Sequence, residues 1–169
     1  QRIEARPGQQ AYGMGLGVML LDDVYPGFPG DVRNASGYPF PIQYEVVSGV
    51  DIKKLVVDAN KITCLPSLIK SAQKLEKLGC RAIIAECGYF AYFQREVASS
   101  VKIPVFMSSL LQVPMAQQVV GANRGVGILM ANAKHLTDHH LESVGIKIGS
   151  NYVIGGAMDD MRCEEFDHL

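Results

Sequence analysis

Short apolar runs separated by helix-like segments set the rhythm of this chain. "GLGVMLL" (15–21) stops at Asp22 and Asp23, and "IQYEVV" (42–47), "RAIIAE" (81–86), "IPVFMSS" (103–109), "GVGILMA" (125–131) and "YVIGG" (152–156) follow the same plan. Unbroken apolar stretches of this length predict strands covered on both faces. Between the second and third runs, Leu68, Ile69, Ala72, Leu75 and Leu78 recur at helical spacing with Lys70, Gln73, Lys74, Glu76 and Lys77 between them. Pro66 suits the first turn and Gly79 the end, so the spacing predicts a helix over 66–78. Further helices are predicted over 89–101, 110–120 and 134–144. Strands alternating with helices predict an α/β fold, a parallel sheet with helices on both faces, in which ligands collect at the carboxyl ends of the strands.

Two stretches break the alternation. Residues 1–14 are polar and without periodicity, which predicts a loose N-terminal arm. "YPGFPGDVRNASGYPFP" (25–41) is too rich in Pro and Gly for a helix or a central strand. A loop of that length inside a compact domain is more often a working part than a connector. "GLGVMLL" and "GVGILMA" each place two glycines at an apolar strand, which suggests two pseudosymmetric halves, 15–121 and 122–169. In the second half the position matching Cys87 falls past residue 169, so that half is expected to be incomplete, a truncated second unit.

Composition narrows the function. The chain is 48% hydrophobic and 20% charged, which fits an ordinary folded domain and not a disordered one. A formal net charge of -1 supplies no basic field for nucleic acid or an anionic membrane surface. No apolar stretch approaches the roughly 20 residues of a membrane span, and no secretory signal opens the chain, so a cytoplasmic protein is expected. The four cysteines, Cys64, Cys80, Cys87 and Cys163, form no CxxC pair, which argues against a zinc knuckle and a disulfide framework.

Candidate chemistry gathers at the predicted strand ends. Cys87 falls where a strand gives way to a helix, so its thiol can lie against the positive end of that helix, which favours thiolate. Gly88 lets a ligand approach the backbone, and the N–H groups of the turn through Tyr89 can bind a carboxylate. A structural cysteine beside a turn is the competing reading. Ser108 and Ser109 end the next strand, where either can cap a helix or hold a carboxylate, and Asn132 stands at the corresponding place in the second half. Asp22 and Asp23 close the first strand, and Asp31, Arg33 and Asn34 offer orienting groups in the long loop. His135 and His139 stand four apart, but they share their helix face with Asp138 and Glu142, with no HExxH motif and no third ligand, so no metal site is expected.

Taken in order, "GVMLLDD", "PGDVRN", "FPIQYEVV", "ECGYF", "IPVFMSSLLQVP" and "GVGILMANAKHLTDHHLESVGI" resemble the aspartate/glutamate/hydantoin racemase superfamily. The resemblance implies a cofactor-independent racemase or epimerase with one cysteine from each half facing a small carboxylate substrate, an amino acid or hydantoin, and it makes a homo-oligomer plausible. One thiolate would remove the α-proton and the other thiol would return a proton to the opposite face. Cys87 matches the first-half cysteine, Gly88 and Tyr89 the carboxylate-binding turn, and Ser108 or Ser109 and Asn132 cleft positions. Gly-Tyr replaces the family's usual Asn-Thr after that cysteine. Cys163 comes too early in the second half to take the second role, so the chain is expected not to racemise unaided. Two other classes compete. One is a cysteine hydrolase using Cys87 with His135, His139 or His140, although Ala85 stands where its elbow would carry glycine. The other is a non-catalytic carboxylate-binding protein.

Overall fold

The computed structural model describes residues 4–159. The chain builds β1 (Leu16–Leu20), β2 (Ile42–Val46), α1 (Leu65–Lys77), β3 (Ile83–Ala85), α2 (Gln94–Ser99), β4 (Val105–Phe106), α3 (Val113–Val120), β5 (Val126–Met130), α4 (Asp138–Ser143) and β6 (Tyr152–Gly156). Each expected strand and helix is present, several of them shorter. The predicted helices over 89–101 and 110–120 each open with a 3-10 turn, Gly88–Phe93 and Ser109–Gln112, before the α-helix begins. Residues 134–144 are divided in the same way, with a 3-10 turn at Ala133–His135 and α4 starting after the Thr137 cap. A π-helical turn at Lys53–Val57 and a 3-10 turn at Lys61–Cys64 fill a stretch in which the sequence pattern marks no element.

All pairings are parallel, and the strands form two sheets among the described residues. The first has the order β2-β1-β3-β4 and the second pairs β5 with β6. β1 is central in the first sheet: it lies beside β2 on one side and β3 on the other, with Val18 opposite both Tyr44 and Ile84. The chain leaves β1 toward β2 and returns across it to β3. That reversal makes the carboxyl ends of β1 and β3 the switch point, where open α/β sheets leave a crevice.

The core explains the pattern. Val18 and Met19 of β1, Leu68, Ala72 and Leu75 of α1, Ile83 of β3, and Phe90 and Val97 beyond it have no solvent exposure. β1 tolerates close packing by α1 because Gly17 carries no side chain: a Cβ there would lie 3.0 Å from a Leu75 methyl and 3.2 Å from the Cys80 sulfur. Cys64 and Cys80 are buried free thiols, in keeping with cysteine as a small core hydrophobe. Residues 4–14 contain neither helix nor strand, yet they are not loose along their whole length. The Gln10 amide donates to the Lys77 carbonyl at 2.6 Å. Gly79, in the left-handed region at φ 79°, has no room for a Cβ, which would meet the Ala11 carbonyl.

Candidate active site

Residues 86–88 emerge at the switch point. β3 ends at Ala85, the Glu86 amide still donates to the Met19 carbonyl of β1 at 3.1 Å, and Cys87 then caps the 3-10 turn Gly88–Phe93 with extended backbone. The thiol is partly buried and lies near the Tyr89 backbone N–H, without a capping hydrogen bond to the turn. That contact favours thiolate, as the sequence suggests, but it is outweighed. Burial first, then the negative charges of Glu86 and Asp23, push the Cys87 thiol up to about 11. The expectation of a stabilised thiolate is corrected: one amide of a short turn does not offset desolvation reinforced by two carboxylates.

Glu86 organises the surroundings. Its carboxylate, 1% exposed, accepts from the Leu21 amide, from the Tyr25 hydroxyl at 2.8 Å, and from Arg33 through both Nε and Nη2, the latter at 2.8 Å. Arg33 also donates through Nη1 to the Asp23 carbonyl at 2.7 Å and through Nη2 to the Leu21 carbonyl at 2.9 Å. Its guanidinium lies 4.0 Å from the centre of the Tyr25 ring, a cation–π contact. Such a forked pair with every acceptor satisfied is the geometry in which a carboxylate can be buried. The long Pro/Gly loop is thereby tied to the residue next to Cys87. Sequence reading missed Glu86 and undervalued Arg33. A lone Glu at the end of an apolar run carries no motif, and its partners lie 53 to 65 positions away.

The other expected site residues divide. Ser108 is buried beside Gly88: a Cβ on Gly88 would lie 3.8 Å from the Ser108 Oγ and 3.4 Å from the Met130 methyl. The side of Gly88 on which a Cβ would stand is in contact with Met130 and Ser108. Ser108 caps its turn, its Oγ accepting from the Leu110 amide at 3.2 Å, whereas Ser109 is exposed. The Tyr89 hydroxyl donates to the Asn132 carbonyl at 2.6 Å and accepts from the Asn132 amide at 3.0 Å, so this side chain pins the end of β5 to the turn after Cys87. Asn132 itself caps Lys134.

Asp22 turns away and accepts from the Gly49 amide at 2.7 Å; Asp23 accepts from the Ile52 amide. Asp31 accepts from the Arg33 amide and Asn34 from the Ser36 amide and hydroxyl, so both shape the loop that presents Arg33. Asp31 and Asn34 thus do the usual work of Asx residues in turns, while Asp22 and Asp23 tie the end of β1 to the segment around residues 49–52.

The histidines considered as a hydrolase base have other partners. His139 Nε2 meets the Tyr92 carbonyl at 3.1 Å. His140 has no solvent exposure; its Nδ1 accepts from the Thr137 amide, and burial pushes the imidazole down to about 4. Among the described residues, no three His, Cys, Asp or Glu side chains are grouped to hold a metal ion. Nor is any helix long and apolar enough to cross a membrane among them. Cys163 lies outside the described residues.

Known proteins resemble this chain over part of their length. No family model matches the chain. It is 29% identical over 152 residues to a dimethylsulfoniopropionate lyase of Durusdinium sp. clade D, covering 85% of this chain and 50% of that protein. It is 31% identical over 121 residues to dimethylsulfoniopropionate lyase 6 of Emiliania huxleyi (strain CCMP1516), covering 72% of this chain and 32% of that one. The chain thus spans half or less of the length of these curated relatives. Among solved structures it resembles an aspartate racemase homologue from Pyrococcus horikoshii OT3, with a TM-score of 0.50 and 16% identity over 91% of this chain and 68% of that one. The racemase-like α/β fold expected from the sequence is therefore present. The racemase or epimerase activity expected with it is corrected: the relatives at about 30% identity are lyases, neither isomerases, hydrolases nor simple binding proteins.

Proposed function

We propose that this chain carries a carbon–sulfur lyase site that eliminates a dialkyl sulfide from a small sulfonium carboxylate such as dimethylsulfoniopropionate, with Cys87 as the base. The observation that supports it most is the pairing of the relatives' activity with a partly buried thiol at the switch point of the sheet.

In the proposed step the Cys87 thiolate takes the proton from the carbon next to the carboxylate. The freed electron pair forms the carbon–carbon double bond while the carbon–sulfur bond breaks, and the sulfide leaves neutral with its bonding pair. The products are dimethyl sulfide, acrylate and the Cys87 thiol, which returns its proton to solvent. Racemisation needs a second group on the opposite face, because the returning proton must arrive from the side the first did not leave. Elimination returns no proton to carbon, so a single base suffices.

The surroundings of the thiol fit a cationic substrate. The charges that bear on Cys87 are negative, from Glu86 and Asp23. They disfavour thiolate in the empty site and attract an onium group. A sulfonium two bonds from the reacting carbon brings positive charge within a few ångströms of the sulfur and favours the thiolate when it is needed. The test is acrylate and dimethyl sulfide production from dimethylsulfoniopropionate, followed by proton NMR, in the parent chain and in Cys87→Ser. The variant is expected to lose at least about a hundredfold in rate, the low end of what a positioned base supplies. Equal rates in the two would remove Cys87 from the role.

A further inference from the structure

We propose that Glu86 is a positioning residue for Cys87: with Arg33 and Tyr25 it latches the long loop to the ends of β1 and β3 and balances the charge that borders the thiol. The proposal deepens the reading of Cys87 as base.

Glu86 directly precedes the cysteine and its carboxylate is almost fully buried, a placement that costs several kcal/mol per ion unless the charge is paired and hydrogen-bonded. Four donors meet it: one amide from the end of β1, one phenol, and two N–H groups of one guanidinium. Three of the four come from loop residues 25 and 33. The same arginine closes onto the carbonyls of Leu21 and Asp23, so both strand ends and the loop share one connection. The charged groups whose fields reach the thiol are Glu86 and Asp23, and the Tyr89 phenol two residues on is fixed on Asn132. Arg33 is the cation that offsets Glu86. The latch therefore sets both the place of the loop and the net charge beside Cys87.

A purely structural latch and this one make different predictions when its two charges are removed separately. The readout is alkylation of Cys87 by iodoacetamide at pH 9, followed at that residue by peptide mass spectrometry. Glu86→Gln removes the negative charge and leaves the guanidinium, which favours thiolate. Arg33→Gln removes the guanidinium and leaves Glu86 uncompensated, which disfavours it. Each unit of pKa changes the thiolate fraction tenfold and its nucleophilicity about threefold in the opposite sense, so net changes of about threefold in rate are expected. Glu86→Gln should react faster than the parent, Arg33→Gln slower, and the double variant within about twofold of the parent.

Loosening of the structure alone would accelerate all three, the double variant most. That result, or unchanged rates, would overturn the proposal. If Arg33→Gln does not fold, Tyr25→Phe replaces it: it removes one donor from Glu86 without changing a charge, slower alkylation is expected, and faster alkylation would overturn the proposal. No sulfonium substrate enters this measurement, so its failure is distinct from an absence of lyase turnover.

Discussion

The ends of β3 and β5 begin from the same local plan, an apolar strand running into a capped 3-10 turn, and finish differently. At β3, Cys87 is followed by a turn whose Tyr89, Phe90, Ala91 and Phe93 are buried, and the strand end carries a buried carboxylate held by a guanidinium. At β5, Asn132 caps a turn in which no residue is buried, and its side chain serves Lys134. The strands behind them differ likewise. Val18 and Met19 of β1, next to β3, are fully buried, whereas Leu129 of β5 is 65% exposed and Val153 of β6 is 71% exposed. A four-stranded sheet with a reversal in its strand order encloses a polar group and lowers the local dielectric; a two-stranded ribbon cannot. Perturbed chemistry follows enclosure, so Cys87 is shifted while Asn132 only caps.

This contrast breaks most readily at Glu86. Glu86→Ala leaves the Arg33 charge, the Leu21 amide and the Tyr25 hydroxyl without their shared acceptor, and should cost about 3 to 5 kcal/mol in urea unfolding. A loss below 1 kcal/mol would mean that the latch contributes little to the fold.

The next effect is on rate. Because burial holds the free Cys87 thiol near 11, the thiolate fraction grows as pH rises toward that value. The kcat/KM for dimethylsulfoniopropionate should climb by roughly tenfold per unit through the neutral range, as a single required deprotonation dictates. A profile flat between pH 7 and 9 would point to a different base.

His140 gives a stability effect of opposite chemical origin. Its folded value, about 4, lies below the ordinary histidine value of 6.5, so between the two the unfolded chain binds more protons. Stability is full above about 6.5 and declines as pH falls toward 4, by up to about 3 kcal/mol. Thermal melts of His140→Gln should lose that slope across the window; an unchanged slope would place its source in other groups. The smallest change is expected on the open ribbon, where Leu129→Thr or Val153→Thr should shift unfolding by no more than about 0.5 kcal/mol. A loss of 2 kcal/mol there would show that this face is covered in solution.

The strands, the α1 helix and the position of Cys87 were legible because each rests on local periodicity or on a breaker residue. "GLGVMLL" stops at two aspartates, and Leu68, Ala72 and Leu75 mark one helix face. The 3-10 openings of the later helices were not legible, since an apolar residue at the start of a turn reads the same for either helix type. Glu86 was illegible for a stronger reason: its meaning lies in Leu21, Tyr25 and Arg33, which only the fold brings together. The direction of the Cys87 shift was missed because the sequence displays the turn amide but neither the depth of burial nor the two nearby carboxylates. The loop-shaping contacts of Asp31 and Asn34 were not legible because turn-forming Asx residues and substrate-binding ones are the same residue types. The relatives' lyase chemistry was not legible because fold and chemistry separate within α/β superfamilies, where one scaffold serves unrelated reactions.

The central claim is tested most directly by giving the 169-residue chain dimethylsulfoniopropionate and, separately, aspartate in deuterated water, and following both by proton NMR. Dimethyl sulfide and acrylate are expected in equal amounts from the first, and no deuterium at the α-carbon of the second. Deuterium uptake into aspartate without release of dimethyl sulfide would contradict it.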